Sequence, residues 1–152
     1  MKVSYMTAAL AAIAVGGVVW VAQAAPADDV KARQAVMKEL GSNVGAISKM
    51  LKGEAPYDAA TAQKSADAIA AAAKKVPGAF KENTGDAGPT EAKAIIWSNW
   101  QGFTDKAAAL DTEASKLADV AKKGDQAALA EQMKALGGAC GACHRDFREK
   151  KS

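Results

Sequence analysis

The apolar residues near the end of the chain recur at a helical interval, and two cysteines occupy places in that series. The series advances by four, three, four, three and four residues, which is the spacing of a buried seam in a helical bundle. Its members are Leu129, Met133, Leu136, Cys140, Cys143 and Phe147. Both cysteines therefore fall where core leucines would fall, and we expect a helix over residues 125–150.

Three earlier segments show the same spacing, so the sequence predicts four helices. The first is expected over residues 28–52, with Gly53 as its C-cap, and the second over residues 58–75. The third is expected over residues 90–123, with a bend near Gly102. Four amphipathic helices joined by short connections predict an all-α fold, an antiparallel four-helix bundle.

The prolines stand where these helical patterns start or stop. Pro77 is expected to end the second helix and to open the longest loop, residues 77–89, which is rich in glycine and proline. No segment alternates at a period of two, so no strand is predicted.

Residues 1–24 have the pattern of a cleaved signal peptide. Lys2 precedes an apolar run over residues 8–21, and the triplet AQA at residues 22–24 has the small-x-small form of a cleavage site. The alternative is a retained membrane anchor, but the run is short for a spanning helix, which needs about 20 residues. We therefore expect the mature domain to be residues 25–152, located in the periplasm.

The charge of the chain is mild. It has 20 basic and 17 acidic side chains, a net charge of +3 that falls to about +2 if the signal segment is removed. This balance gives no basis for predicting nucleic-acid binding.

The motif C-x-x-C-H near the C-terminus contains both cysteines and the one histidine of the chain, Cys140, Cys143 and His144. It is the attachment signature of haem c. In this reading the two thiols form thioethers with the haem vinyl groups, and the imidazole binds the iron. On a helix, positions i, i+3 and i+4 lie on nearly one face, so the three side chains can contact one flat group.

Other uses of these residues fit less well. A structural zinc site usually has four protein ligands, mostly cysteine and histidine, and the chain has two cysteines and one histidine. A thioredoxin-like redox pair belongs to a strand–helix unit, and no strand is predicted. A disulfide within the helix would leave His144 without a role.

Several stretches resemble the cytochrome c′ family, the class II c-type cytochromes. The ending CGACHRDFREKK is the most specific, and VKARQ at residues 30–34, GEAPYDA at 53–59 and TEAKAIIW at 90–97 agree with it. Ala94 departs from the pattern, because many members have proline there. The resemblance covers the whole expected mature chain and implies one covalently bound haem c in the four-helix bundle.

The resemblance also implies what lies on the other side of the iron. Met37, on the apolar seam of the first helix, matches the distal residue that blocks the sixth coordination site without binding iron. The alternative is that Met37 binds the iron and gives a six-coordinate Met/His haem suited only to electron transfer. We expect the five-coordinate, high-spin state, with one-electron transfer and binding of nitric oxide and carbon monoxide.

Four more residues match positions near the haem in that family. Arg33 lies on the same seam as Met37, and the resemblance pairs it with a haem propionate; the alternative is a side chain that reaches solvent. Gln34 is expected at the haem edge, and Trp97 beside the haem or simply in the core. Arg148 is expected near the proximal face, or as a cation favoured at a helix C-terminus.

No enzymatic activity is expected. A peroxidase needs a distal acid–base group, and the seam of the first helix offers none, since Glu39 lies off it. The expected partners are redox proteins and small gases. The resemblance also makes a homodimer through the first two helices compatible with the sequence.

Overall fold

The computed structural model describes residues 26–85 and 87–149, and the expected signal segment, residues 1–24, lies outside them. The elements are α1 (Pro26–Leu51), α2 (Ala59–Ala79), α3 (Ile95–Ser98), α4 (Trp100–Lys122) and α5 (Gln126–Phe147). None of these helices is both long enough and apolar enough to cross a membrane.

The four long helices form an antiparallel bundle, which confirms the predicted fold class. Helix α1 packs on α2, α2 on α4 and α4 on α5, whereas α1 and α5 meet over only a short stretch. Helix α3 is a single turn that leads into α4. The gap between α1 and α5 leaves room inside one end of the bundle.

Side-chain caps start two of the helices where the sequence indicated. Asp58 accepts a hydrogen bond from the Thr61 amide at 2.7 Å, and Asp125 accepts from the amides of Ala127 and Ala128 at 2.9 and 3.0 Å. These bonds satisfy amides that have no partner inside the helix. Gly124, with φ of 70°, makes the turn between α4 and α5.

The prediction that Pro77 ends the second helix is wrong, because α2 continues to Ala79. Proline removes only its own amide bond, and here that loss falls in the last turn of the helix. The amide of Phe80 still reaches the carbonyl of Val76 at 3.3 Å. Both of those side chains are buried in the core, so packing holds the last turn in place.

The third helix starts later than predicted. Residues 90–94 are not helical, and Ala92 forms an isolated antiparallel bridge with Arg148. The helical axis breaks at Asn99, three residues before the expected bend, and the side chain of Asn99 accepts from the Gly102 amide at 3.2 Å. Helix α5 ends at Phe147 rather than at residue 150, because the chain beyond it joins this bridge.

The core has two parts of different character. Near the α4–α5 turn it is filled by aliphatic side chains, among them Ile47, Leu117 and Leu129, all fully buried. At the opposite end, Phe103 packs against the rings of Phe80, Trp100 and Phe147 at centroid distances of 5.1, 5.4 and 5.4 Å. The aliphatic half therefore stabilises the bundle away from the aromatic end, although both belong to one hydrophobic cluster.

Replacing Leu117 with alanine tests this division. We expect Leu117→Ala to lower the free energy of unfolding by about 2–5 kcal/mol, the usual loss for a buried leucine, while the visible spectrum of the haem-loaded protein stays unchanged. Urea unfolding measures the first effect. Thr112→Ala, on the exposed side of the same helix, is the control and should change stability by less than about 0.5 kcal/mol. A comparable loss in both variants would contradict this account of the core.

Candidate haem site

A cavity of ≈ 560 Å³ lies between α1, α4, α5 and the end of α2. Its walls are mostly apolar, formed by residues such as Met37, Leu40, Val44, Ile96, Phe103 and Leu110. This volume falls within the range of pockets that bind cofactors and ligands, about 300–1,000 Å³. The gap between α1 and α5 therefore has the size and character of a binding site.

The three residues of the C-x-x-C-H motif lie together on the α5 wall of this cavity. Cys140 and Cys143 are half-buried and are not joined in a disulfide. Burial raises the pKa of both thiols, and the nearby Cys140 and Asp146 raise that of Cys143 further. Both cysteines are therefore neutral thiols at neutral pH in this environment.

His144 follows on the same wall and is more exposed than the two cysteines. Its pKa lies below the ordinary histidine value, first because of burial and then because of the positive charge of Arg148, while the Glu91 carboxylate acts in the opposite direction. The imidazole is consequently neutral at neutral pH, which is the form that binds metals.

Arg33 is the one cation among the described lining residues that is fully buried, with only 2% of its surface exposed. It donates through Nη2 to the Thr84 hydroxyl at 2.5 Å, and its guanidinium lies 5.2 Å from the Trp97 ring and 5.5 Å from the Phe80 ring. Among the described residues, its Nε and Nη1 atoms have no partner. The alternative in which Arg33 reaches solvent is therefore wrong.

These unpaired donors provide the test of whether a haem fits. A buried guanidinium is costly without a counter-ion, and burial lowers the pKa of Arg33. A carboxylate matches the guanidinium fork in charge and geometry, and a haem carries two propionates. The cavity thus combines an apolar volume, two thiols with a neutral imidazole, and a buried cation whose Nε and Nη1 atoms have no hydrogen-bond partner among the described residues.

The remaining predicted residues lie nearby with different contacts. Gln34 lines the cavity and donates from Nε2 to the Pro89 carbonyl at 2.9 Å. This hydrogen bond connects α1 to the loop that precedes α3. Met37 is half-buried in the cavity wall. Trp97 is packed against Arg33 and donates to the Phe80 carbonyl at 2.9 Å, outside the cavity lining. Its direct contact with haem stays a prediction.

Sequence reasoning missed Thr84 and Glu91. Thr84 is a buried loop residue bound to Arg33, and Glu91 accepts from Nε of Arg148 at 2.6 Å. Both occur in segments whose conformation has no periodic signal, and Glu91 was assigned to a helix that begins only at Ile95. The short pattern TEAK could have indicated a turn, since the Thr90 hydroxyl accepts from the Ala92 amide at 3.1 Å.

The fold and the site together define a class of protein. A four-helix bundle whose last helix turns C-x-x-C-H toward an apolar cavity is a c-type cytochrome with its attachment site at the C-terminal end. The family model Cytochrome C' matches residues 28–148. The chain belongs to the cytochrome c′ family, and as a member it binds a single covalent haem c.

Curated relatives agree with this assignment. The chain is 40% identical to cytochrome c' from Pararhodospirillum photometricum over 126 residues, which cover 83% of this chain and 100% of the relative. It is 43% identical to cytochrome c-556 from Agrobacterium tumefaciens (strain apple 185) over 121 residues, 79% of this chain and 94% of the relative.

Solved structures show the same bundle. Cytochrome c prime from Shewanella frigidimarina has a TM-score of 0.77 and 35% identity, covering 82% of this chain and 97% of that chain. The nitric oxide complex of a mutant of cytochrome c prime from Alcaligenes xylosoxidans has a TM-score of 0.77, 32% identity, and coverage of 86% and 100%. A cytochrome c' with ligand-controlled dimer dissociation has a TM-score of 0.76, 30% identity, and coverage of 85% and 100%.

Arg33→Leu tests whether the buried guanidinium faces a propionate. We expect the haem to stay attached and its reduction potential to fall, because the variant removes a buried positive charge that favours the reduced state. A spectroelectrochemical titration measures the shift. Lys31→Leu removes the same charge from a side chain that is 76% exposed on the same helix, and water should screen its effect. Equal potentials in wild type and Arg33→Leu would contradict the propionate pairing.

Proposed function

We propose that this protein holds a five-coordinate haem c, with Cys140 and Cys143 as thioether attachments and His144 as the axial ligand, and that it transfers single electrons and binds small gases. The observation that carries the proposal is the C-x-x-C-H turn on the wall of an apolar cavity that also contains the unpaired Arg33. Bound haem supplies the redox-active iron. The protein supplies attachment, orientation and a dry environment.

The wall around Met37 supports a distal gas site. Leu40, Gly41 and Val44 on α1 line the same cavity and have no hydrogen-bonding side chains, whereas Lys38 also lines it and has an exposed side chain. Gln34 donates to the Pro89 carbonyl, and Arg33 donates to Thr84 through Nη2 while its other two donors are assigned to a propionate. An apolar wall at Met37 favours neutral carbon monoxide and nitric oxide over dioxygen, whose bound form benefits from a hydrogen bond. The related nitric oxide complex from Alcaligenes xylosoxidans agrees with this choice.

The alternative is a six-coordinate Met/His cytochrome in which Met37 binds the iron. It rests on the place of Met37 in the cavity wall on α1, the helix that faces α5 across the cavity. We favour the open site because Met37 follows Arg33 by one turn, which is the register that matches the family's blocking residue.

The proposed role is not enzymatic. Glu39, the carboxylate closest in sequence to Met37, is bound by Lys75 at 3.1 Å and lies outside the cavity lining. An acid–base group at the distal side is what a peroxidase mechanism requires. The residues around Met37 thus support a carrier or gas-binding role.

We place the protein in the periplasm, after removal of residues 1–24, where it would exchange electrons with redox partner proteins. A homodimer is compatible with the related cytochrome c' whose dimer dissociation is ligand-controlled. Helix α2 has exposed alanines, among them Ala60 and Ala71, on the surface available to such a dimer. Ala62, Ala66 and Ala72 are fully buried inside the bundle itself.

Covalent attachment is tested by acid–organic extraction. We expect the wild-type haem to remain with the polypeptide, and the double variant Cys140→Ser/Cys143→Ser to lose it, because the chain has no other cysteine. Each single variant should keep one thioether and show an altered ferrous pyridine haemochrome band. Complete extraction of haem from the wild type would refute the proposed attachment.

Met37→Ala tests the sixth position. If Met37 only blocks the site, the variant should stay high-spin and the reduced protein should bind carbon monoxide about tenfold faster, equivalent to a barrier about 1.4 kcal/mol lower. Stopped-flow absorbance measures the rate. Met133→Ala is the matched control, since Met133 is half-buried but outside the cavity lining. A low-spin wild type that becomes high-spin in Met37→Ala would establish the six-coordinate alternative.

A further inference from the structure

The end of α5 is paired with a short extended segment, residues 91–93, which we call the proximal strap. The Glu149 amide donates to the Glu91 carbonyl at 2.7 Å, and the Lys93 amide donates to the Phe147 carbonyl at 3.0 Å. Between these two bonds, Ala92 and Arg148 form the antiparallel bridge. The strap thereby fixes the chain immediately after the turn that contains His144.

The strap also supplies a cap to that helix. The Lys93 ammonium donates to the carbonyls of Arg145 and Asp146 at 3.2 and 3.3 Å. Carbonyls in the last turn of a helix have no partner within the helix, and a cation there also suits the helix dipole. The geometry of the last turn of α5 therefore depends on residues that are more than fifty positions earlier in the chain.

An ion pair lies on the cavity side of this junction. The backbone pairing brings Glu91 and Arg148 side by side, and their Oε2 and Nε atoms are 2.6 Å apart. The side chain of Glu91 is 28% exposed and that of Arg148 is 53% exposed. Both residues line the cavity together with His144. Two opposite charges are thus fixed beside the proposed iron ligand.

We propose that Glu91 is a positioning residue: it holds Arg148 beside His144 and compensates its charge, so that the reduction potential of the haem iron is not shifted by an unpaired charge beside its ligand. This inference rests on the proposed function, in which His144 is the axial ligand. A positive charge near the iron stabilises the reduced state and a negative charge opposes it, to an extent that water limits because the Arg148 side chain is about half exposed. While the pair is intact, the two fields largely cancel.

A purely structural strap would behave differently. If the ion pair only tightened the end of α5, loss of either partner would loosen the same turn and shift the potential in the same direction. An electrostatic role gives opposite shifts, because the two side chains have opposite charges. The sign of the two shifts therefore separates the two roles.

The experiment is a double-mutant cycle on the haem-loaded protein. We expect Glu91→Gln to raise the reduction potential, Arg148→Gln to lower it, and the double variant to return close to the wild-type value. Glu131→Gln is the matched control. It breaks the 2.7 Å pair with Lys134 on α5, where both side chains are about three-quarters exposed, and it should leave the potential unchanged.

Two further measurements test whether the strap stays intact in the variant and whether the haem is bound by histidine. Amide hydrogen exchange at Lys93 and Glu149 should stay slow in Glu91→Gln, because those bonds use only backbone atoms. A wild-type spectrum without histidine-bound haem would refute the proposed function itself, independently of the cycle. With that spectrum in place, equal-sign shifts in the two single variants, or no shift in either, would overturn the assignment of Glu91.

Discussion

The helical repeat of α5 is the constraint on which the rest of the site depends. It places Cys140, Cys143 and His144 within little more than one turn, on the wall of one cavity. A flat group bound to all three must stand beside α5 and keep α1 from packing closely against it. The short contact between α1 and α5 leaves the space that such a group needs. The aliphatic packing in the other half of the bundle keeps the helices together despite the opening.

Arg33 connects that cavity to the surrounding chain. Its guanidinium is held between Trp97 and Phe80 and bound to Thr84, so it joins α1, the end of α2, the loop and α3. Two of its nitrogen atoms have no partner among the described residues. A buried cation of this kind is stable only with an anion. The charge of a haem propionate would therefore serve the fold as well as the cofactor.

Much of the fold was accessible from the sequence, because apolar spacing and capping residues act locally. The seam through both cysteines predicted α5, and Asp58 and Asp125 marked helix starts that the structure confirms. Pro77 does not end α2, because the packing of Val76 and Phe80 outweighs one lost hydrogen bond. Residues 90–94 were misassigned because their conformation is set by pairing with residues 147–149, which no local pattern reveals. The same long-range pairing explains why the position of Glu91 beside Arg148 could not be predicted from the sequence.

The proposed function requires a haem iron that has histidine on one side and no protein ligand on the other. Resonance Raman spectroscopy of the reduced, haem-loaded wild type tests this state most directly, because a strong iron–histidine stretching band arises from five-coordinate, high-spin haem. The account predicts that this band is present and that it disappears when carbon monoxide is added. A low-spin, six-coordinate spectrum without the band, before any ligand is added, would contradict it.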